Sequence, residues 1–208
     1  MKILLHICCA VCATACIERL TEEGNSVSGY FYNPNIHPQS EYAKRLEQTE
    51  NLTRKLKIPL IIGEYNVKDW FSSVEGLEDE PEGAKRCEVC FRLRLNQSCR
   101  LAGEKGFDGF TTTLTVSPHK NSRTINNIGR EIGGPFFLDR DFKKKDGFKR
   151  AMTLSKTHGL YHQNYCGCIF SKRLGTLSNQ KIMRKGTLSN PKRISSSGKC
   201  PLSQDKKQ

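Results

Sequence analysis

"HICCAVCATAC", residues 6–16, follows the apolar opening MKILL directly and places four cysteines within eleven residues. Residues 2–7 (KILLHI) form a short apolar run of strand length, and a helical pattern begins near residue 10 and runs to about 23. Cys8 and Cys9 therefore fall at the carboxyl end of a first strand, and Cys12 lies one turn into a first helix. A helix N-terminus favours negative charge, which stabilises thiolates and makes them better ligands and nucleophiles.

Working outward, β-branched, aromatic or apolar runs recur at 26–32 (SVSGYFY), 59–65 (PLIIGEY), 108–115 (DGFTTTLT) and 135–139 (PFFLD). Helical patterns separate them near 39–56, 67–75, 84–104 and 121–132, and a further helix is expected at 146–158, led by Asp146. Strands alternating with helices call for a parallel sheet, here of five strands, sandwiched by helices. Ligands of such sheets bind at the carboxyl ends of the strands, where the cysteine-rich stretch falls.

Ten cysteines stand at positions 8, 9, 12, 16, 87, 90, 99, 166, 168 and 200. The opening lacks a long hydrophobic region ending in a cleavage site, and no segment approaches the roughly 20 apolar residues of a membrane helix, so a cytoplasmic protein without membrane partners is expected. In a reducing compartment clustered thiols hold metal or do redox work more often than they form disulfides. Cys16 and Cys99, inside helical patterns, read as small buried hydrophobes. Cys8, Cys9, Cys12, Cys87, Cys90, Cys166 and Cys168 remain, more than the four that one tetrahedral zinc or one four-cysteine cluster takes. Two metal centres, or one cluster plus cysteines with redox duty, would use them; soft thiolates select iron-sulfur or zinc. Gly167, between Cys166 and Cys168, lets the backbone bend so that both sulfurs face one site.

Other polar groups cluster after the strands. In FYNPNIHP (31–38) and TTTLTVSPHKN (111–121), His37 and His119 are either turn residues or active-site groups. In LDRDFKKKDG (138–147), Asp139 and Asp141 are either an oxygen ligand or proton donor, or ion-pair partners of Arg140 and the lysines. Tyr161 and Tyr165 read as acids, base-stacking surfaces or loop packing. Charge is uneven: residues 1–171 carry 24 basic against 20 acidic groups, whereas residues 172–208 carry 10 basic groups and only Asp205. A near-repeat, GTLSNQKIMRK (175–185) and GTLSNPKRISS (186–196), has too little apolar content for a core. The chain accordingly divides into an α/β metal-binding catalytic domain at 1–173 and a basic, flexible tail at 174–208. The tail and the cluster Lys143, Lys144, Lys145, Lys149 and Arg150 suit a polynucleotide substrate.

Five motifs in order, LLHICCAVC (4–12), FYNPNIHP, KRCEVCFRLRL (85–95), TTTLTVSPHKN and YHQNYCGCIFS (161–171), resemble the QueH family of epoxyqueuosine reductases, over about residues 1–173. Many members have proline where Val11 stands. The resemblance implies a fold similar to the adenine nucleotide alpha-hydrolase (HUP) group, with HICCAVC standing where ATP-using relatives carry a glycine- and serine-rich phosphate cradle. It also implies a cobalamin-independent oxidoreductase that reduces the epoxide of epoxyqueuosine to the alkene of queuosine at the wobble base of tRNA, the last step of queuosine biosynthesis. Its implied cofactors are a four-iron, four-sulfur (4Fe-4S) cluster and an additional metal ion, iron or zinc. These draw ligands from Cys8, Cys9, Cys12, Cys87, Cys90, Cys166 and Cys168, in a division the sequence leaves open. The implied partners are tRNA carrying epoxyqueuosine and an unidentified electron donor. Asp141, then Tyr161 or Tyr165, are the candidate catalytic proton donors. Two competitors are an ATP-dependent tRNA-modifying enzyme of the same fold, which needs the missing phosphate cradle, and a non-catalytic zinc protein that binds RNA.

Overall fold

A computed structural model describes residues 1–172. The expected tail at 174–208, with its near-repeat and Cys200, lies outside the described residues. The elements run β1 (Lys2–His6), α1 (Ala10–Glu22), β2 (Ser26–Phe31), α2 (Gln39–Lys55), β3 (Leu60–Ile62), α3 (Val67–Ser73), α4 (Lys85–Glu104), β4 (Gly109–Thr112), α5 (Ser122–Gly133) and α6 (Gly147–Thr157). The four strands are all parallel, in the order β3-β2-β1-β4.

β1 is buried on both faces, as the central strand of a parallel sheet must be. Ile3 and Leu5 point with Ile7 into a core shared with α1, Leu52 of α2 and Ala151 of α6. Leu4 points the other way, into a core of Leu95 and Ala102 from α4, Phe110 from β4 and Ile125, Ile128 and Ile132 from α5. This alternation is the period of two of a strand, and it fixes register, since a slip by one residue would exchange the faces. Cys16 and Cys99 each lie fully buried, one in either core. Among the described residues no helix is long and apolar enough to cross a membrane.

The expected five-stranded sheet is corrected to four strands. Residues 134–136 make a 3-10 turn around Pro135, entered by Gly134 at φ +50°, and only one parallel bridge, Phe110 to Phe137, follows. Proline brings no N–H to a ladder, so the run docks through Leu138 N to the Phe110 carbonyl (2.8 Å) and Thr111 Oγ1 to the Leu138 carbonyl (2.9 Å) without becoming a strand. Residues 108–115 likewise split: β4 ends at Thr112, whose side chain accepts from Leu114 N at 3.2 Å and opens a 3-10 turn at Thr113–Val116. Asp146 stands at the head of α6, yet it has a left-handed φ of 55° and makes no side-chain cap. The cap of α5 is a side-chain one, Asn121 Oδ1 accepting from Arg123 N and Thr124 N.

Candidate metal centre

The strand order reverses between β1 and β4, and the sulfur-rich site opens at that crevice. β1 ends at His6, whose ring is fully buried, its Nδ1 2.9 Å from Thr112 Oγ1 and its Nε2 3.1 Å from the Tyr32 carbonyl. Burial, then the charge of Arg94, lowers its pKa to about 4, so the imidazole is neutral. A carbonyl only accepts, so Nε2 carries the proton and Thr112 donates to Nδ1. Above this histidine the chain leaves the sheet as Cys8, Cys9 and Cys12.

The three sulfurs lie within 4.8 Å of one another. Thr113 crosses the crevice to hold the first of them, its Oγ1 accepting from Cys8 N at 3.1 Å and donating to Cys8 Sγ at 3.3 Å. Gln163 Nε2 donates to Cys9 Sγ at 3.0 Å. Hydrogen bonds from Cys12 and Cys9, which burial opposes, push the Cys8 thiol well down, while Cys12 is pushed well up. Cys9 moves up to about 12, its bond with Cys12 outweighed by the interaction with Cys8 and by burial. The trio thus favours ionisation at Cys8 over Cys9 and Cys12, and a metal ion would displace whatever protons remain.

A second group comes from α4 and the loop at 161–168. Cys90 and Cys168 pack together with Trp70 and Val74. Cys87 accepts from Gly83 N at 3.1 Å, and its thiol is pushed up by burial with added contributions from Cys166 and Cys90. Burial likewise raises Cys168, to about 11. The loop is tied down by Arg45 of α2, only 3% exposed, which donates to the carbonyls of Cys166 (3.0 Å) and Tyr165 (3.1 Å) and to Glu41 Oε1 (2.7 Å). His37 N donates to the Gly167 carbonyl at 2.8 Å. Gly167 has φ +113°, and a Cβ there would come within 3.1 Å of Arg45 Nη1, so glycine is required both by conformation and by the clamp.

Between the groups lies a cavity of about 980 Å³, at the upper end of ordinary ligand pockets, lined by Cys8, Cys12 and Cys166. Arg94, Lys120, His119, His162, Tyr165 and Phe148 also line it. Burial works against the ammonium of Lys120, and the negative charges of Cys166, Cys8 and Cys12 more than offset that and raise its pKa.

Of the residues singled out by sequence, Cys8, Cys9 and Cys12 gather into one group, Cys90 and Cys168 pack together, Cys87 feels the charges of Cys90 and Cys166, and Cys166, His119 and Tyr165 reach the cavity. The Tyr165 hydroxyl donates to the His37 carbonyl, and burial pushes its pKa up to about 12. Tyr161 donates to Glu41 at 3.1 Å. Asp139 is ion-paired with Arg130, and Asp141 accepts from Ser122 Oγ at 2.9 Å and Lys143 N at 3.1 Å; neither aspartate is among the cavity-lining residues. His37 is buried against Trp70 and Phe71, with neither ring nitrogen hydrogen-bonded. Arg94 and Lys120 carry cavity charge without having been singled out as site residues. Their signal was present, since each lies inside a quoted motif, but one basic residue among many gives no sign that it points inward.

A parallel α/β sheet with a thiol-rich site at its strand ends, beside the cations Arg94 and Lys120, is compatible with binding a metal ion or cluster. The family model described as epoxyqueuosine reductase QueH matches residues 3–174. The epoxyqueuosine reductase QueH of Streptococcus pyogenes is 38% identical over 182 residues, covering 83% of this chain and 71% of the relative. That of Acinetobacter baylyi is 38% identical over 176 residues (83% and 81%), and that of Thermotoga maritima 36% over 189 residues (88% and 96%). The chain belongs to the QueH family and is an oxidoreductase.

Proposed function

We propose that this chain reduces the epoxide of epoxyqueuosine in tRNA to the alkene of queuosine. The observation that carries the reading is the pairing of two cysteine groups around one cavity lined by cations. The donor set fits the implied cofactors. An ion sits about 2.3 Å from each thiolate sulfur, so sulfurs within 4.8 Å of one another suit one shared ion, and Cys8, Cys9 and Cys12 would hold it. In a cluster each thiolate binds a different iron, and Cys87, Cys90, Cys166 and Cys168 supply the four required. The buried Nη2 of Arg94, without a hydrogen-bond partner, is suited to face such a negatively charged group.

When bound, the 4Fe-4S cluster and the iron or zinc ion supply electrons one at a time and Lewis acidity beside the epoxide. Deoxygenation consumes two electrons and two protons, breaks both C–O bonds and releases water. Lys120 and Tyr165 line the cavity and both are held protonated at neutral pH, so we assign one proton to Lys120 and the other to Tyr165, whose hydroxyl must turn from the His37 carbonyl to give it. Asp141 and Tyr161 act behind them. Asp141 binds Ser122 and the amide of Lys143, and the Lys143 ammonium donates to the Lys120 carbonyl at 2.5 Å. Tyr161 donates to Glu41, which also pairs with Arg45.

The modified base must leave its stack to enter the cavity, at small cost in a single-stranded anticodon loop. Phe148, 39% exposed at the cavity and flanked by the lysines at 143–145 and 149, offers a stacking face beside phosphate-binding charge. The test is anaerobic turnover of epoxyqueuosine-containing tRNA by the metal-loaded protein, read as loss of one oxygen from the nucleoside by mass spectrometry. Loaded protein that leaves the mass unchanged with a low-potential reductant present refutes the assignment.

A further inference from the structure

Arg94 lies on α4 one turn beyond Cys90 and is only 2% exposed. Its Nε donates to the Cys90 carbonyl at 3.2 Å, and its guanidinium lies 5.6 Å from the Phe91 ring centroid. Its Nη2 is buried and has no hydrogen-bond partner, although the side chain reaches the cavity with Cys8, Cys12 and Cys166. Among the described residues no carboxylate pairs with it. A buried guanidinium without a counter-charge is costly, and it cannot escape by losing its proton. Sulfur at Cys8, Cys12 and Cys166, which line the same cavity, is placed to supply the compensating charge.

Taking as given the reading above that Cys87, Cys90, Cys166 and Cys168 hold the cluster, we infer that Arg94 sets the cluster's reduction potential. Four thiolates leave a cubane with net negative charge, and each one-electron reduction adds another. In a buried site a fixed cation stabilises the more negative, reduced form more than the oxidised one, and an N–H aimed at sulfur acts in the same direction. The electron comes from an external low-potential donor; no covalent bond forms or breaks and no proton moves. Arg94 touches neither the epoxide nor the base in this role. It is a positioning residue whose action is read through the metal.

The experiment is an anaerobic potentiometric titration of the reconstituted full chain, with dithionite as reductant and the reduced cluster followed by electron paramagnetic resonance, in wild type, R94Q and R94K. R94Q is expected to retain its iron and sulfide yet show at least a tenfold lower ratio of reduced to oxidised cluster at a fixed potential, a downward shift of at least about 59 mV for one electron. R94K keeps the charge but loses the Nη2 donor, and its midpoint falls between the other two. A loaded R94Q with the wild-type midpoint overturns the inference. If R94Q does not load, R94K decides: a ratio lowered at least about threefold supports the role and an unchanged one overturns it. A wild-type chain that takes up no reducible cluster instead overturns the cluster reading itself, and the role of Arg94 with it.

Discussion

Cys8, Cys9 and Cys12 sit on one strand-to-helix junction, whereas the second group joins the first turns of α4 to a loop that follows it by some seventy residues. The first group is positioned by local backbone: β1 is buried from Ile3 to His6, Cys9 stands at the N-cap of α1, and the spacing of Cys9 and Cys12 is one helical turn. The second relies on long-range ties, above all Arg45, which reaches from α2 to the carbonyls of Tyr165 and Cys166. A site made of one local and one long-range half should fail in two different ways.

The largest contrast is expected from cysteine removal. C90A should abolish turnover and lower iron from about four per chain toward the content of the trio alone, while C12A should release a single metal equivalent and leave the cluster absorption near roughly 400 nm in place. Metal and sulfide analysis beside the spectrum checks both, and equal losses in the two variants would erase the distinction between the groups. Next comes R45M. It removes three hydrogen bonds and leaves Glu41, with a side chain 11% exposed, without its cationic partner and held only by the Tyr161 hydroxyl, so a loss of about 3 kcal/mol in denaturant unfolding is expected, with cluster uptake impaired more than uptake by the trio.

Each half also has a buried histidine beneath it, His6 under Cys8 and His37 under the loop, both lowered from 6.5 to about 4, chiefly by burial. Since the folded value lies below the unfolded one, this contribution is fully present above pH 6.5 and is lost as pH falls from 6.5 toward 4, because the unfolded chain takes up the protons. The loss is on the order of 3 kcal/mol per histidine, measurable as the pH dependence of unfolding of the metal-free protein. A His37→Phe variant should roughly halve that slope. The smallest effect is that of T113V, which deletes the hydroxyl on Cys8 Sγ: chelator competition should show about 10-fold to 100-fold weaker metal retention by the trio, with the cluster unchanged.

The same contrast explains what the sequence revealed. The β1–α1 junction was legible because a buried strand and a helix start have short-range signatures, and the clustering of Cys8, Cys9 and Cys12 was legible because close thiols stand out in any chain. The fifth strand was misread because PFFLD has strand composition, while Pro135 and the left-handed Gly134 divert its backbone. Asp141 was favoured by its place after that run, but its carboxylate is spent on Ser122 and a backbone amide. Arg94 and Lys120 escaped notice because what matters is the direction in which they point, which only the packing of α4 and of the turn at 117–120 determines.

The clamp by Arg45 bears on how the protein is made. Cys166 and Cys168 are among the last described residues to leave the ribosome, and Arg45 cannot grip them until they do. During synthesis the first three thiols are exposed long before their counterparts exist, so on the proposed ligand set a complete cofactor is loaded only after translation has passed residue 168. A fragment cut within the loop would keep the sheet and the trio yet carry no complete cluster, which makes metal content a direct measure of chain integrity.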